Sequence, residues 1–503
     1  MTFELQHNPG AEYEIPLRII SWAELHAEAL ISEGSGEADG EGEELELITK
    51  DSTPLRTNRE IVDDGSIQRM TLDEIEALKK ESTGAGREIV SRLLESHAAL
   101  DQKTAFSVAK YTLRKQKKYM KRFTVLPLDV GLFTNYMLHE KDAVKSMELR
   151  TELMGMIGCL GNVHHGGDIP DGLKPNGRYL VVDDTGGLVV AAMAERLGIL
   201  YPHDGDEKDE ADDEREKSTP RHARHAPMSA SSNTITLLHA HSQPNLSLLK
   251  YFGYEMDSPD DSHPLHTHLK TVSWLQLLDP NADAVYASEP DILPDSILST
   301  YKPSKRSAYY RKRNRWSRVR NVVNETRAGG FDGLVVASLM EPASIFKYVI
   351  PLLAGSASAV VYSPCVEPLV ELVDLYSTPR RSAYVVRKRE LEAKYQQTSP
   401  SGESITNGVE HQDTPGDGGD DEPPPYLPEL EAEFPVNPSL LLSPTLHTAR
   451  VRPWQVLPGR THPLMSGRGG AEGYVFHAVR VVPSTAHIQA AGNQKHKRRK
   501  VQS

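Results

Sequence analysis

Apolar runs alternate with helical stretches along the chain from Phe123 onward. In chain order, the apolar runs are FTVLPL, RYLVVD, NTITLLHA, FDGLVVASL, ASAVVYS, LHTARVRPWQVLP and GYVFHAVRVV. Strands separated by helices are typical of a parallel sheet covered on both faces, and two late strands without a helix between them indicate an antiparallel edge. The pattern predicts an α/β domain with a Rossmann-like sheet over residues 123–490.

The part of the chain before this domain follows other patterns. Residues 1–70 contain the short strand-like pieces TFEL, IPLRII and ELELIT, which predict part of a small β domain. From Thr71 onward, apolar residues recur with helical spacing, and Thr71 and Glu74 form a capping-box pattern. We therefore expect a helical connector over residues 71–122.

Two polar stretches interrupt the α/β pattern, and a basic tail follows it. Residues 204–232 and 396–433 are rich in acidic residues, and we expect both insertions to be disordered because such sequences bury little apolar surface. The tail, residues 491–503, contains KHKRRK, which suits nuclear import or a loose contact with nucleic acid. We expect the protein to be located in the nucleus.

Composition excludes several classes of protein. The 503 residues include two cysteines, which rules out a disulfide framework, makes a cysteine-type zinc site improbable and favours a reducing compartment. We expect no secretion signal, because a basic segment followed by an apolar core is missing at the start, and no membrane span, because no apolar run is long enough. His164, His165, His263, His266 and His268 lack carboxylate or cysteine companions at ligand spacing, so we interpret them as loop and surface residues and expect no metal site.

The segment Tyr179–Gly198 has the outline of a strand, a loop and a helix that could bind a nucleotide. The loop contains Asp183, Asp184, Gly186 and Gly187, and so keeps two adjacent glycines but lacks the spaced set that lets a cofactor approach the backbone. This is a weak signal for a cofactor site.

Two further positions lack the groups that a cofactor such as S-adenosylmethionine needs. The second strand ends at His239 where a carboxylate should accept hydrogen bonds from ribose hydroxyls. The fourth strand ends at Ser338, which cannot act as a general base at neutral pH without a partner. The sequence therefore predicts a degenerate loop, no catalytic residue and no cofactor bound by this chain.

Six segments between about Asn58 and Val482 resemble the non-catalytic subunit of the eukaryotic tRNA (adenine-58-N1)-methyltransferase. They are NREIVDDGSIQRMTLDEIEALK, QKKYMKRF, NTITLLHAHSQPNLSLLKYFGY, HPLHTHLKTVSWLQLLDP, FDGLVVASLMEPASIFKYVIPLLAGSASAVVYSPCVEPLVELV and VRPWQVLPGRTHPLMSGRGGAEGYVFHAVRV. VVYSPCVEPLVEL is also similar to the matching strand and helix of the catalytic subunit. This second similarity suggests a duplicated methyltransferase that lost its chemistry.

The resemblance implies an N-terminal β-barrel, a C-terminal methyltransferase-like domain and a heterotetramer of two catalytic and two non-catalytic subunits. S-adenosylmethionine is then expected on the catalytic partner, and this chain helps to bind tRNA. Family members carry more barrel strands upstream of the piece that resembles MTFEL, so we expect a partial barrel here. A self-sufficient methyltransferase with an unusual cofactor loop and a translation-initiation scaffold without RNA contact remain as alternatives.

Three basic clusters are candidate tRNA-binding surfaces. The net charge of −13 argues against nucleic acid at first, but the acidic residues concentrate in the insertions, so local charge is the better guide. The first cluster is a helix on which Lys110, Arg114, Lys117 and Lys121 share one face, with Lys118 beside them. A solvated helix face is the alternative, and the resemblance favours RNA.

The second and third clusters lie later in the chain. The second contains Arg311, Arg313 and Arg315 beside Tyr309, Tyr310 and Trp316, on which unstacked bases could stack. A surface helix or flexible insertion whose Trp316 packs into the neighbouring sheet is an equal alternative. The third cluster, Arg450, Arg452 and Arg460, belongs to a loop that could reach tRNA or the partner subunit.

Overall fold

A computed structural model describes fourteen stretches of the chain. They are residues 2–5, 17–20, 69–81, 86–98, 105–120, 122–167, 176–201, 230–257, 262–398, 424–449, 451, 454–457, 460–463 and 471–482. Backbone contacts divide the chain into two compact units. The first comprises residues 1–129 and 451–466, and the second comprises residues 130–450 and 467–503.

The described residues of the first unit form a small antiparallel sheet, three helices and a hairpin. The sheet has the order β2-β1-β3, from strands β1 (Thr2–Leu5), β2 (Leu17–Ile20) and β3 (Arg122–Thr124). The helices are α1 (Leu72–Glu81), α2 (Gly86–Glu95) and α3 (Ala105–Tyr119). ELELIT and most of the expected partial barrel lie outside the described residues, so the barrel stays a prediction.

The capping box that the sequence predicts at the start of α1 is present. The Thr71 amide donates to the Glu74 carboxylate at 2.8 Å, and the Glu74 amide donates to the Thr71 hydroxyl at 3.3 Å. Buried side chains of α1 and α2, among them Ile75 and Leu93, pack with Tyr119 at the end of α3 into a local core. The connector helices therefore share one small core.

Two expected strands of the α/β sheet are placed differently. FTVLPL contributes only Phe123 and Thr124, to β3, which pairs with β1 in the small sheet. Val125 and Leu126 beyond it are 54% and 59% exposed, so they bury too little apolar surface to form a strand of the α/β core. LHTARVRPWQVLP is divided between the end of β9 (Leu441–His447) and β10 (Trp454–Leu457). β10 pairs with β11 (Arg460–Pro463) in a hairpin of the first unit rather than with the large sheet.

The second unit is built on a seven-stranded sheet of the type that the sequence predicts. Its other strands are β4 (Arg178–Asp183), β5 (Thr234–His239), β6 (Leu269–Ser273), β7 (Phe331–Ala337), β8 (Leu353–Ser363) and β12 (Tyr474–Arg480). The strand order is β6-β5-β4-β7-β8-β12-β9. The first five strands in this order are parallel, and β12 runs antiparallel to both β8 and β9. The sheet thus reverses its order at β4, where open α/β sheets form a crevice at the carboxyl ends of their strands.

Helices cover both faces of the sheet. They are α4 (Val130–His139), α5 (Thr151–Leu160), α6 (Leu188–Arg196), α7 (Leu265–His268), α8 (Trp274–Leu278), α9 (Ala284–Ala287), α10 (Asp295–Leu298), α11 (Pro303–Ala328), α12 (Pro342–Val349), α13 (Glu367–Leu375), α14 (Thr378–Thr398) and α15 (Leu427–Glu433). One core joins α4, α5 and α6 to the sheet, and the other joins α8, α11, α12 and α13 to the opposite face. No helix among the described residues is long and apolar enough to cross a membrane.

The second insertion is ordered at both ends, which contradicts the expected disorder over residues 396–433. α14 continues to Thr398, and α15 occupies Leu427–Glu433. The physical reason is that Leu430 is 2% exposed and packs against Tyr384 and Leu391 of α14. Residues 399–423 and most of the first insertion lie outside the described residues.

β6 is a strand that the apolar pattern missed, because it carries a buried lysine. Lys270 is 2% exposed, and its ammonium group donates to both carboxylate oxygens of Glu325 in α11 at 2.7 Å. The Arg178 guanidinium contacts the same carboxylate at 3.2 Å. A buried charge is tolerated when it is paired. The bond to Glu325, 55 positions away in the chain, therefore allows Lys270 to occupy a buried position in β6.

Candidate functional site

The turn after β4 has the backbone geometry of a ligand-binding loop. Gly186 and Gly187 have φ angles of +76° and +92°, which residues with a side chain adopt only with strain. Gly187 is the N-cap of α6, so the amides at the start of this helix face the turn. The scaffold that the sequence predicts at Asp183–Leu188 is therefore present.

Asp183 is committed to holding this turn together. Its carboxylate accepts hydrogen bonds from the amide and hydroxyl of Thr185, at 2.6 and 2.5 Å, and from the Val190 amide at 3.1 Å. Burial of the side chain raises the pKa of Asp183 despite these donors. The residue therefore has a structural role in tying β4 to α6.

The chain's own leucines lie against the two glycines. The Leu248 amide donates to the Gly186 carbonyl at 3.0 Å. A Cβ on Gly187 would lie 3.3 Å from the Leu246 Cα, and one on Gly186 would lie 3.3 Å from the Leu248 Cγ. The segment after β5 thus packs closely against the backbone of the two glycines, where a ligand would otherwise approach. This packing leaves less room for a ligand.

The end of β5 has no carboxylate that could accept hydrogen bonds from ribose hydroxyls, and the end of β7 has no residue that could act as a general base. At the end of β5, His239 bonds through Nδ1 to the His241 carbonyl at 2.7 Å, and burial lowers its pKa. At the end of β7, the Ser338 hydroxyl and the Leu339 amide both donate to Asp184, at 2.6 and 2.9 Å. The Asp184 carboxylate is therefore held by hydrogen bonds from the two residues that follow β7.

A cavity of about 440 Å³ remains beside the turn. Its walls include Asp184, Lys145, Asn245 and Leu248, together with Leu339, whose side chain is 81% exposed. These residues fit S-adenosylmethionine poorly, because the ribose acceptor at the end of β5 is replaced by His239 and leucines cover the glycine turn. No chemical step can be assigned to this cavity.

The histidines interpreted as loop and surface residues include one that is buried. His263 is 6% exposed, and its ring lies between the Phe252 carbonyl at 3.2 Å and the Leu265 amide at 3.1 Å. The surface interpretation is wrong for this residue, because its two ring nitrogens satisfy buried backbone groups. Within the described stretches, no group of three His, Cys, Asp or Glu side chains is placed to hold a metal ion.

The basic face of α3 is only partly described. Arg114 and Lys118 are exposed, Lys110 is half-buried, and the side chain of Lys117 and the whole of Lys121 lie outside the described residues. The Lys118 ammonium group lies 5.4 Å from the centre of the Tyr119 ring. Arg114 and Lys118, four residues apart, form an exposed pair of cations on one helix face.

The second basic cluster lies on α11, a helix of 26 residues. Arg311 and Arg315 are exposed, but Arg313 is half-buried and donates to the Tyr309 hydroxyl at 3.2 Å. Trp316 is half-buried, and its indole N–H donates to the Tyr286 carbonyl at 3.1 Å. The bond of Trp316 thus goes to α9 rather than to a strand of the neighbouring sheet.

The third basic cluster is outside the part of the chain whose side chains are described. Arg450 and Arg452 are not described, and Arg460 is described only as the first residue of β11. Their tRNA contacts stay predictions.

Comparison with known proteins identifies the family. The sequence profile of the Gcd10p family matches residues 1–302. The chain belongs to the Gcd10p family. Two relatives match it along its whole length: proteins of Aspergillus fumigatus and Aspergillus oryzae, each named tRNA (adenine(58)-N(1))-methyltransferase non-catalytic subunit trm6. They are 60% and 61% identical to it over 516 and 524 residues, and the alignments cover 87% and 88% of the relatives.

More distant matches include a relative and a solved structure. The Schizosaccharomyces pombe protein of the same name is 30% identical over 448 residues, with 88% of this Gcd10p-family chain and 80% of the relative covered. Among solved structures, the tRNA (m1A58) methyltransferase TrmI from Aquifex aeolicus matches with a TM-score of 0.31 and 9% identity. That alignment covers 73% of this chain and 80% of the other.

Proposed function

We propose that this chain is a catalytically inactive, tRNA-binding subunit of the methyltransferase that forms 1-methyladenosine at position 58 of tRNA. The observation that carries the proposal is the full-length alignment, at 60% identity, with a relative named as the non-catalytic subunit of that enzyme. The turn after β4 supports it, because Leu246 and Leu248 lie against the glycines and Asp183 is held by its own helix.

The partner subunit would supply S-adenosylmethionine and the reacting groups. We propose a heterotetramer of two catalytic and two non-catalytic subunits in the nucleus, held together through the last strands of the methyltransferase-like domains and the helices beside them. Exposed apolar side chains at the β9 end of the sheet support such a contact. They are Leu442 (37% exposed) and Leu446 (36%) on β9, and Val370 (52%) on the neighbouring α13. Apolar surface of this kind is commonly covered in an assembly.

Calorimetry tests the absence of a cofactor. We expect no binding heat when S-adenosylmethionine is titrated into this chain alone, and saturable heat when it is titrated into the complex with the catalytic subunit. Saturable micromolar binding to the isolated chain, accompanied by methyl transfer without a partner, would favour a self-sufficient methyltransferase instead.

Retention of tRNA separates an RNA-binding subunit from a scaffold. Replacing Arg114 and Lys118 of α3 with glutamine in the assembled complex removes two exposed cations, so tRNA affinity should fall most at low salt. A filter-binding titration measures it. Unchanged affinity in this variant, together with unchanged affinity when Lys110, Lys117 and Lys121 are also replaced, would support the translation-initiation scaffold.

A further inference from the structure

Helix α11 extends well beyond the sheet that it packs on. Its 26 residues span about 39 Å at the usual rise of an α-helix. Its buried residues are Val322, Val323 and Thr326, all in the C-terminal third. The N-terminal part, from Pro303 to about Arg320, therefore depends on other contacts.

One side of this N-terminal part is fastened to the segment that precedes it. The Tyr309 hydroxyl accepts from the Leu293 amide and donates to the Asp291 carbonyl, each at 3.1 Å. The Arg306 guanidinium donates to the Leu298 carbonyl at 3.1 Å. Together with the bond from the Trp316 indole to the Tyr286 carbonyl, these contacts hold this side against the segment that precedes α11.

The other side carries a row of three exposed guanidinium groups. Arg311, Arg315 and Arg318 occupy positions i, i+4 and i+7, which lie on one helix face. None of the three forms an ion pair with a carboxylate in the part of the chain that the structure describes, whereas nearby Arg320 lies 3.8 Å from Glu289. We call Arg311, Arg315 and Arg318 the arginine row.

We infer that the arginine row binds consecutive backbone phosphates of tRNA and reads no base; the inference rests on the proposed function. A guanidinium group is always charged and can bond a phosphate with two N–H donors. Three such groups on a rigid helix, in a chain of net charge −13, form a local surface of the sign that RNA attracts. Tyr309 and Trp316, two of the aromatic residues expected to stack on bases, are on the fastened side instead.

Salt-dependent tRNA binding tests this inference in the complex with the catalytic subunit. The variant R311Q/R315Q/R318Q should bind a tRNA transcript more weakly at low salt. A plot of log K against log salt should become shallower by about 2 to 3, because each lost phosphate contact removes roughly 0.7 to 0.9 from the slope. Unchanged affinity and slope would overturn the inference.

Two matched variants identify the type of contact. R380Q/K388Q/R389Q removes three exposed cations from α14, of which Arg380 and Lys388 are paired with Asp374 and Glu392. Compared at physiological salt, where charge beyond about 8 Å is largely screened, this control should keep the wild-type affinity. R311K/R315K/R318K should keep most of the affinity and slope, since lysine still neutralises a phosphate. A lysine variant whose salt slope is as shallow as that of the glutamine variant would contradict the inference, because lysine loses the second N–H donor but keeps the charge that a phosphate contact needs.

The failure of this inference can be distinguished from failure of the proposed function. If the α3 variant weakens tRNA binding but the arginine-row variant does not, the subunit binds tRNA elsewhere and the inference is wrong. If the wild-type complex retains no tRNA, the proposed function itself fails. If the arginine-row variant loses the catalytic subunit while the assembled fraction binds tRNA normally, the row contacts protein, which also overturns the inference. Thermal melting shows whether each variant is folded.

Discussion

The second unit contains a buried charged residue in a strand that the apolar pattern did not predict. Lys270 is buried in β6 and bonded to Glu325, which also contacts Arg178. Burial lowers the pKa of Lys270, and the bonds to Glu325 raise it again. The sequence could not reveal this cluster, because the three residues lie far apart in the chain and lysine usually indicates a solvent-exposed position.

Removing the Glu325 charge should therefore cost more than removing an exposed one. We expect E325Q to lower the free energy of unfolding by about 2 to 4 kcal/mol, below the fully buried range because Glu325 is about one-third exposed. Urea denaturation at neutral pH measures the change. E289Q, which breaks an exposed pair with Arg320, serves as the control and should cost about 0 to 1 kcal/mol. Equal losses in the two variants would contradict the prediction.

His263 makes stability depend on pH. Burial lowers its pKa from the ordinary value, since the neutral ring accepts from the Leu265 amide and lies close to the Phe252 carbonyl. The unfolded chain takes up a proton near pH 6.5 but the native ring resists it, so stability is present above about 6.5 and falls as the pH drops towards the lower native pKa.

The variant H263Q tests this pH dependence. Its free energy of unfolding should fall less between pH 7.5 and pH 5.5 than that of the wild type, whatever its absolute stability, because one proton-linked group is gone. H241Q replaces an exposed histidine and should keep the wild-type dependence. A slope in H263Q equal to the wild type would show that His263 is not the linked group.

At the scale of elements, short helix α15 shows which force positions a polar segment. Its three glutamates pair with cations of α12 and α14: Glu431 with Lys347 at 2.9 Å, Glu433 with Arg387 at 2.7 Å and Glu429 with Lys394 at 3.4 Å. All six side chains are more than a third exposed, so each ion pair adds little to the free energy of unfolding. Leu430 is the one fully buried member.

The variant L430A should therefore destabilise this region more than E429Q/E431Q/E433Q. We expect about 2 to 4 kcal/mol for the leucine and a smaller loss for the three glutamates together, because exposed ion pairs are screened by solvent. Limited proteolysis of the native protein, compared with urea unfolding, locates the change. A larger effect from the glutamates would mean that charge holds α15.

Helices and strands could be predicted where apolar residues form a clear run or repeat and the residues at the ends of the element are typical of its start or stop. The strands β4, β5, β7, β8 and β12 follow apolar runs, and the capping box of α1 follows Thr71 and Glu74. α15 was missed because two leucines among a proline and three glutamates are too few to give a clear periodicity. The packing of Leu246 and Leu248 on the glycine turn was also beyond the sequence, since it joins segments that only the sheet order brings together.

At the scale of the whole molecule, charge is distributed unevenly. The chain carries a net charge of −13, yet the arginine row and the exposed pair on α3 are locally positive. Residues 399–423 contain acidic residues and no lysine or arginine. Negative charges repel RNA over about 10 Å at moderate salt and farther at low salt, so we expect this acidic segment to slow tRNA association.

Neutralising part of this segment should speed tRNA association. We expect the variant D417N/D420N/D421N of the full chain, in the complex, to associate about 2- to 5-fold faster at low salt, because the long-range repulsion is reduced. Stopped-flow measurements at low and high salt check this, and the difference should vanish at high salt. An increase that persists at high salt would point to a direct contact instead.

The leucines seated on the glycine turn also bear on the supply of this subunit in the cell. If this chain binds no methyl donor, as we propose, the donor adds nothing to its stability. Its lifetime would then follow the availability of its sister subunit rather than the nutritional state that sets methyl-donor levels. Translation of the two genes would have to be matched, since an orphaned copy has no small molecule to protect it.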